Sequence, residues 1–294
     1  MTRMPLPVGA VLFLAAATML VPPAVQGGSN ATDPPQDRLS SALAVETGPA
    51  VLAGAGTDAY GGMRDRMAEW LDAYGGAGTV SIAAPDRSVG LVWEGGWRVR
   101  PHVGLAVRLG MTVPPDAKVR LRANGAFGEI LVADETVSAA AFPVLAGGWM
   151  EWRAGWGLKL RGCLFGGPVF ASVTRRGSRA FKDPANDEES EGSYSVSSGG
   201  TGRMVEVWGE AGYELARGVT VFLGAGWRQA WARRMKYLAN ADVDCDGTAE
   251  LVKGAMVERR SGGPLSLDAG GIILGGGVRV SFPGPAGTAV SMEP

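Results

Sequence analysis

The sequence predicts an all-β chain, an eight-stranded antiparallel up-and-down transmembrane β-barrel with one short amphipathic helix in its first long loop. Three observations carry this. Apolar residues recur with a period of two along the chain, the connections between those segments alternate between short and long, and no stretch after the N-terminus could cross a membrane as a helix. A chain that spans lipid without helices must close its strands into a ring, because every backbone N–H and C=O then needs a partner.

At the N-terminus Arg3 precedes an apolar run over residues 8–21, then Pro22 and Pro23, with no acidic residue before Asp33. This order predicts a secretory signal peptide over 1–27, cleaved between 24 and 28, since a spanning helix wants roughly 20 apolar residues. Residues 28–47 read as a flexible periplasmic segment, 48–282 as the barrel and 283–294 as a disordered tail.

The first strand is the weakest, placed over 48–56. Next, Val89, Leu91, Trp93, Trp97 and Val99 alternate with Gly90, Val92, Glu94, Gly96 and Arg98. Val103, Leu105, Val107, Leu109 and Met111 alternate with Gly104, Ala106, Arg108 and Gly110. The fourth and fifth strands, over 137–152 and 156–170, present Phe142, Val144, Met150, Trp152, Leu158, Leu160 and Leu164 outward, with Lys159, Arg161 and Cys163 opposite. Three more, over 204–215, 219–233 and 272–282, complete the set. Pro143 and Pro168 remove ladder hydrogen bonds, so bulges or misplaced strand boundaries are expected there.

Three connections are short, around residues 100–102, 153–155 and 216–218. The other four are long, over 57–88, 114–136, 177–202 and 235–264. Short turns on the side of both termini and long loops opposite give the ring its orientation. Trp97, Trp152, Trp156, Tyr213 and Phe282 fall near the short-turn side and face outward, as an interfacial girdle would. In the first long loop Met63, Met67, Trp70, Leu71 and Tyr74 recur at helical spacing, so 63–74 is expected to be an amphipathic helix on the rim or in the mouth.

Taken together, these segments resemble the eight-stranded outer-membrane β-barrel superfamily, the OmpA-like and OmpW-like transmembrane domains, over about 48–282. The resemblance rests on architecture and on the last strand, 271–282, which ends in Phe282 like the insertion signal read by the barrel-assembly machinery. It implies a bacterial outer membrane, surrounding lipid and that machinery as partners, and a monomer. Residues 283–294 after the Phe depart from the pattern.

The inward faces carry charge of both signs: Glu94, Glu151, Glu206 and Glu210 with Arg98, Arg108, Lys159, Arg161, Arg228 and Arg279. An eight-stranded barrel holds little more than its own side chains. Unpaired buried charge is very costly, so these residues are expected to pair into a filled interior. A charged conduit or a binding pocket at the mouth is the other reading. In the last long loop Asp242, Asp244 and Asp246 precede Gly247, with Glu250 at the ninth position, as at the start of a calcium loop. Lys253 occupies the twelfth position, which excludes an EF-hand proper and leaves Ca²⁺ as a candidate ligand against a plain acidic turn. No other cofactor is expected. Cys163 and Cys245 are two cysteines, not a disulfide framework.

A net charge of −1 argues against nucleic acid. The single histidine, His102, falls in a short turn, and no nucleophile elbow or phosphate loop appears, so no enzyme is expected. What remains is a closed barrel with a structural or surface-interaction role, with narrow porin-like transport of small or apolar molecules as the alternative.

Overall fold

Each strand follows from a side-chain alternation that only an extended backbone can sort onto two faces. The computed structural model describes residues 37–49, 53–84, 87–113, 116–153, 156–184, 186, 188–242, 250–258, 264, 265 and 267–283. Its elements are β1 (Asp37–Pro49), α1 (Ala53–Tyr74), β2 (Ala77–Ala83), β3 (Arg87–Arg100), β4 (Val103–Val113), β5 (Ala117–Asn124), β6 (Ile130–Arg153), β7 (Leu158–Asp183), β8 (Glu188–Ala216), β9 (Val219–Tyr237) and β10 (Leu267–Pro283).

Eight strands close a ring in the order β1, β3, β4, β6, β7, β8, β9, β10 and back to β1, every pairing antiparallel. Leu43 marks the closure, opposite Val278 on one side and Trp93 on the other. Closure removes every unpaired edge from this part of the wall. Two further strands stand outside the ring. β5 pairs with the loop-side half of β6, Ala117 opposite Val137 and Asn124 opposite Ile130, and β2 pairs with β5.

The ring is apolar outside and charged inside. Leu43, Leu105, Leu164, Val207, Leu223 and Ile272 are exposed on its outer face, while Glu94, Arg108, Glu206 and Arg279 are buried within. A barrel in water would show the reverse, so this is a membrane-spanning wall. Trp97, Trp152, Trp156 and Tyr213 are exposed at the short-turn end, and Trp227 and Trp231 lie outward toward the other end. At the β6–β7 turn Trp156 and Gly157 have φ of 54° and 79°. Two successive left-handed residues suit a tight hairpin.

About ten residues of a tilted strand cross the hydrocarbon. β7 has 26 residues and β8 has 29. Their excess rises on the loop side as a tall hairpin, joined by β5 and β2, with α1 packed against it. Ala59 and Met63 of α1 share an apolar core with Val119, Leu121, Val137, Val173, Met235 and Leu267, which fills the mouth of the ring.

Several sequence expectations change. The first strand is Asp37–Pro49, not 48–56, so 37–47 is barrel wall and not a flexible lead-in. Its outward set is diluted by Ser41 and its inward set is small (Ser40, Ala42, Ala44), which left little hydropathic contrast. The helix begins at Ala53, ten residues before the expected start: glycine at 54, 56, 61 and 62 weakens the helical signal in the sequence, and the core contact of Ala59 holds the turn. The connection over 177–202 is mostly strand, and those over 57–88 and 114–136 contain β2 and β5. No bulge forms at the prolines, but the boundaries of their strands do move, to Ile130–Arg153 and Leu158–Asp183. The β4–β6 ladder passes from Leu109↔Val144 to Thr112↔Ala141, and the β6–β7 ladder from Pro143↔Val169 to Ala146↔Gly166, both resuming in unchanged register. Residues 1–36 and 284–294, with the expected signal peptide and most of the tail, lie outside the described residues.

Glycine on the inner face makes room for the largest residues there. A Cβ on Gly224 would stand 2.3 Å from Trp208 Cζ2, and one on Gly104 2.3 Å from Trp149 Cζ2. Gly224→Val is therefore expected to destabilise the barrel by about 1–3 kcal/mol through overpacking. The midpoint of heat-modifiable gel migration measures this. An unchanged midpoint would mean that the Trp208 indole moves aside freely.

Candidate functional site

Inward alternation on eight strands sends charged side chains to a common axis. Glu46 of β1, Glu94 of β3, and Glu206 and Glu210 of β8 meet Arg108 of β4, Arg161 of β7, Arg228 of β9 and Arg279 of β10. Four carboxylates thus face four guanidinium groups, and the layer is neutral.

Arg108 and Arg228 sit between Glu46 and Glu206. Arg108 contacts Glu46 and lies 3.2 Å from Glu206, while Arg228 is 2.6 Å from each of the two carboxylates. Arg161 and Arg279 sit between Glu94 and Glu210. Arg161 is 2.7 Å from Glu94, and Arg279 is bidentate to Glu210, its Nη2 at 3.1 Å. Arg108 links the halves at 3.8 Å from Glu94. Aromatic faces cover the guanidinium groups, with Arg161 4.6 Å from the centre of the Trp149 ring, Arg108 5.2 Å from Trp208 and Arg279 4.8 Å from Phe222. Stacking over a ring recovers part of what a cation loses on leaving water.

Three of the expected lumen residues stand apart, near the short turns. Arg98 pairs with Glu151 at 2.8 Å and Lys159 with Glu214 at 2.8 Å. The neutral layer lacks a member in the sequence reading, Glu46. The available signal was its parity with Ser40, Ala42 and Ala44. Cys163 is a buried free thiol in the wall beside this layer. Two small cavities flank the layer. One of about 30 Å³ touches Arg228, Thr112 and Ile273, and one of about 10 Å³ touches Arg161, Glu151 and Ser281. Such volumes hold a water molecule or so, not a stream of solute.

A second cluster, invisible in the sequence, ties α1 to the wall above the membrane. Glu135 of β6, whose side chain is fully buried, accepts hydrogen bonds from Arg175 of β7 and from the Tyr194 hydroxyl of β8 at 2.7 Å, with Arg66 of α1 at 3.9 Å. Burial alone would raise the Glu135 carboxyl, but Arg175, the Tyr194 hydroxyl and the Arg66 charge together hold it below the usual carboxylate range. Burial, and then the neighbouring Glu135 charge, push the Tyr194 phenol up to about 12.

A carboxyl lowered by folding stabilises above its unfolded pKa, and that contribution is lost as pH falls through the folded value. A phenol raised by folding contributes fully below about 10, and that contribution is lost toward 12. Hydrogen-exchange protection of α1 is thus expected to be flat between about pH 5 and 9 and to fall on both sides. Glu135→Gln should lower the plateau by roughly 2 kcal/mol, less than a fully buried pair because both arginines are about a third exposed. Unchanged protection in the variant would detach the helix from this cluster.

Of the four calcium-loop candidates, Asp244 and Asp246 lie outside the described residues. Asp242 and Glu250 flank a backbone bridge in which Ala241 and Leu251 exchange hydrogen bonds of 3.0 and 3.1 Å.

No family model and no curated protein matches the chain. Among solved structures it is similar to Neisserial surface protein A, with 11% identity over 83% of this chain and 97% of that one at a TM-score of 0.29. It is similar to the outer membrane protein OprG from Pseudomonas aeruginosa, with 9% identity over 84% and 97% at a TM-score of 0.30. It is also similar to the outer membrane protease OmpT from Escherichia coli, with 10% identity over 84% and 97% at a TM-score of 0.28. These are distant likenesses, and the barrel is read from the chain's own closed ring and apolar belt.

Proposed function

We propose that the chain is a bacterial outer-membrane protein whose barrel is closed and whose loop-side extension does its work, as a structural or surface-interaction element. One observation carries this reading. The neutral layer of four glutamates and four arginines, covered by Trp149, Trp208 and Phe222, lies across the lumen as a network of ion pairs. Such a network leaves little room for solutes, and the folded extension above it presents a broad surface. His102, at the short-turn end with its Nδ1 3.1 Å from the Glu151 carbonyl, supports a non-enzymatic role. The unbroken ring supports a monomer in lipid. The final strand ending at Phe282 would be the segment taken by an assembly machinery.

The test has two parts. Extracted from the outer-membrane fraction, the protein should migrate on gels with heat-modifiable mobility, and recovery free in the periplasm would end the membrane reading. In planar bilayers it should give no stable ohmic steps. Steps of fixed size would favour transport over a closed barrel.

A further inference from the structure

Between α1 and the inner face of the β6–β7–β8 extension lies an open cleft of about 460 Å³. Its floor is aromatic. Trp70 and Tyr74 of α1 stand 5.1 Å apart, centre to centre, and Tyr74 stands 5.7 Å from Phe181 of β7. Three rings in series on two elements make a surface for a flat apolar body.

One polar feature at the cleft is unspent. Arg179, half-buried on the inward face of β7, has neither an ion pair nor a hydrogen bond among the described residues. Arg66 also lines the cleft. It lies 3.9 Å from a Glu135 whose charge Arg175 already meets, so it adds positive potential. The cleft's acid, Glu69, is exposed on the helix surface.

Volumes of roughly 300–1,000 Å³, mostly apolar with a few placed polar groups, are those of small-molecule sites. We propose that this cleft binds a small amphipathic anion, an aromatic or similarly flat apolar body bearing a carboxylate or equivalent acceptor group. The body lies along Trp70, Tyr74 and Phe181. The anionic group pairs with Arg179. The inference holds whether or not the lumen conducts, because the cleft opens above the ring.

The test is calorimetric titration of the whole protein in phosphatidylcholine nanodiscs with 2-naphthoate, with the signal from empty discs subtracted. Saturable binding is expected. Arg179→Gln should weaken it tenfold or more, and Trp70→Ala, which removes one ring of the floor, about fivefold. Both variants should keep heat-modifiable migration, which separates loss of the site from loss of the fold. Naphthalene-2-carboxamide, without the charge, should bind wild type about as weakly as 2-naphthoate binds R179Q. No saturation above empty discs, or equal affinity of wild type and R179Q for 2-naphthoate, would overturn the proposal.

Discussion

Glu206→Ala is expected to cost the barrel about 3–5 kcal/mol, because it leaves Arg108 and Arg228 to share Glu46, with Glu94 3.8 Å from Arg108 as the next carboxylate, in a largely buried layer. Glu206 has no exposed side-chain surface, so water does not replace the lost carboxylate. Urea titration in micelles, followed by heat-modifiable migration, measures the loss. The companion double variant, Glu206→Ala with Arg228→Ala, should recover part of it, since it restores neutrality to the layer. A single-variant cost under about 1 kcal/mol would mean that the layer is hydrated and the lumen open.

Trp208→Ala is expected to have an effect of similar size by a different route. The indole is buried, packs over Arg108 at 5.2 Å and donates to Glu210 at 3.1 Å. Truncation leaves a cavity beside Gly224 and removes one donor from the carboxylate, for a combined loss of about 3–5 kcal/mol. The control is Trp227→Ala one strand away. Trp227 is outward and 45% exposed, so its truncation exchanges one lipid contact for another and should cost about 1 kcal/mol or less. Equal costs at the two sites would contradict the inward and outward assignment of β8 and β9. Small current steps appearing only in Trp208→Ala would show that this indole helps seal the lumen.

The sequence showed most clearly where lipid and lumen impose opposite demands on neighbouring residues. From Val89 to Met111 the two faces differ sharply, and with more noise they differ again over 204–215, 219–233 and 272–282, and the ring and its orientation follow from them. Above the membrane both faces of a strand meet water or protein, and the alternation fades. Ser178 and Arg179 therefore read as loop although they lie in one continuous strand. β1 escaped for a related reason, since its inward residues are too small to contrast with its outward ones. With β1 went Glu46, and a layer that is neutral in the fold looked unbalanced on paper. The Glu135 cluster draws on β6, β7, β8 and α1, and no local spacing announces such a meeting.

The pairing of β1 with β10 has a consequence in time as well as in space. Leu43 and Val278, which face one another there, come from opposite ends of the chain, whereas most other neighbours in the wall are joined by a turn or a loop. Contacts between distant segments are slow to form. Until the last strand arrives, β1 and β9 each carry a row of unanswered backbone groups that lipid will not tolerate. Gly275 and Gly277 let the final strand approach closely, since a Cβ at either would press on the backbone oxygens of Val45 and Leu43. Insertion of this barrel should therefore be all-or-none. A chain that stops short of β10 has no half-finished stable form to rest in.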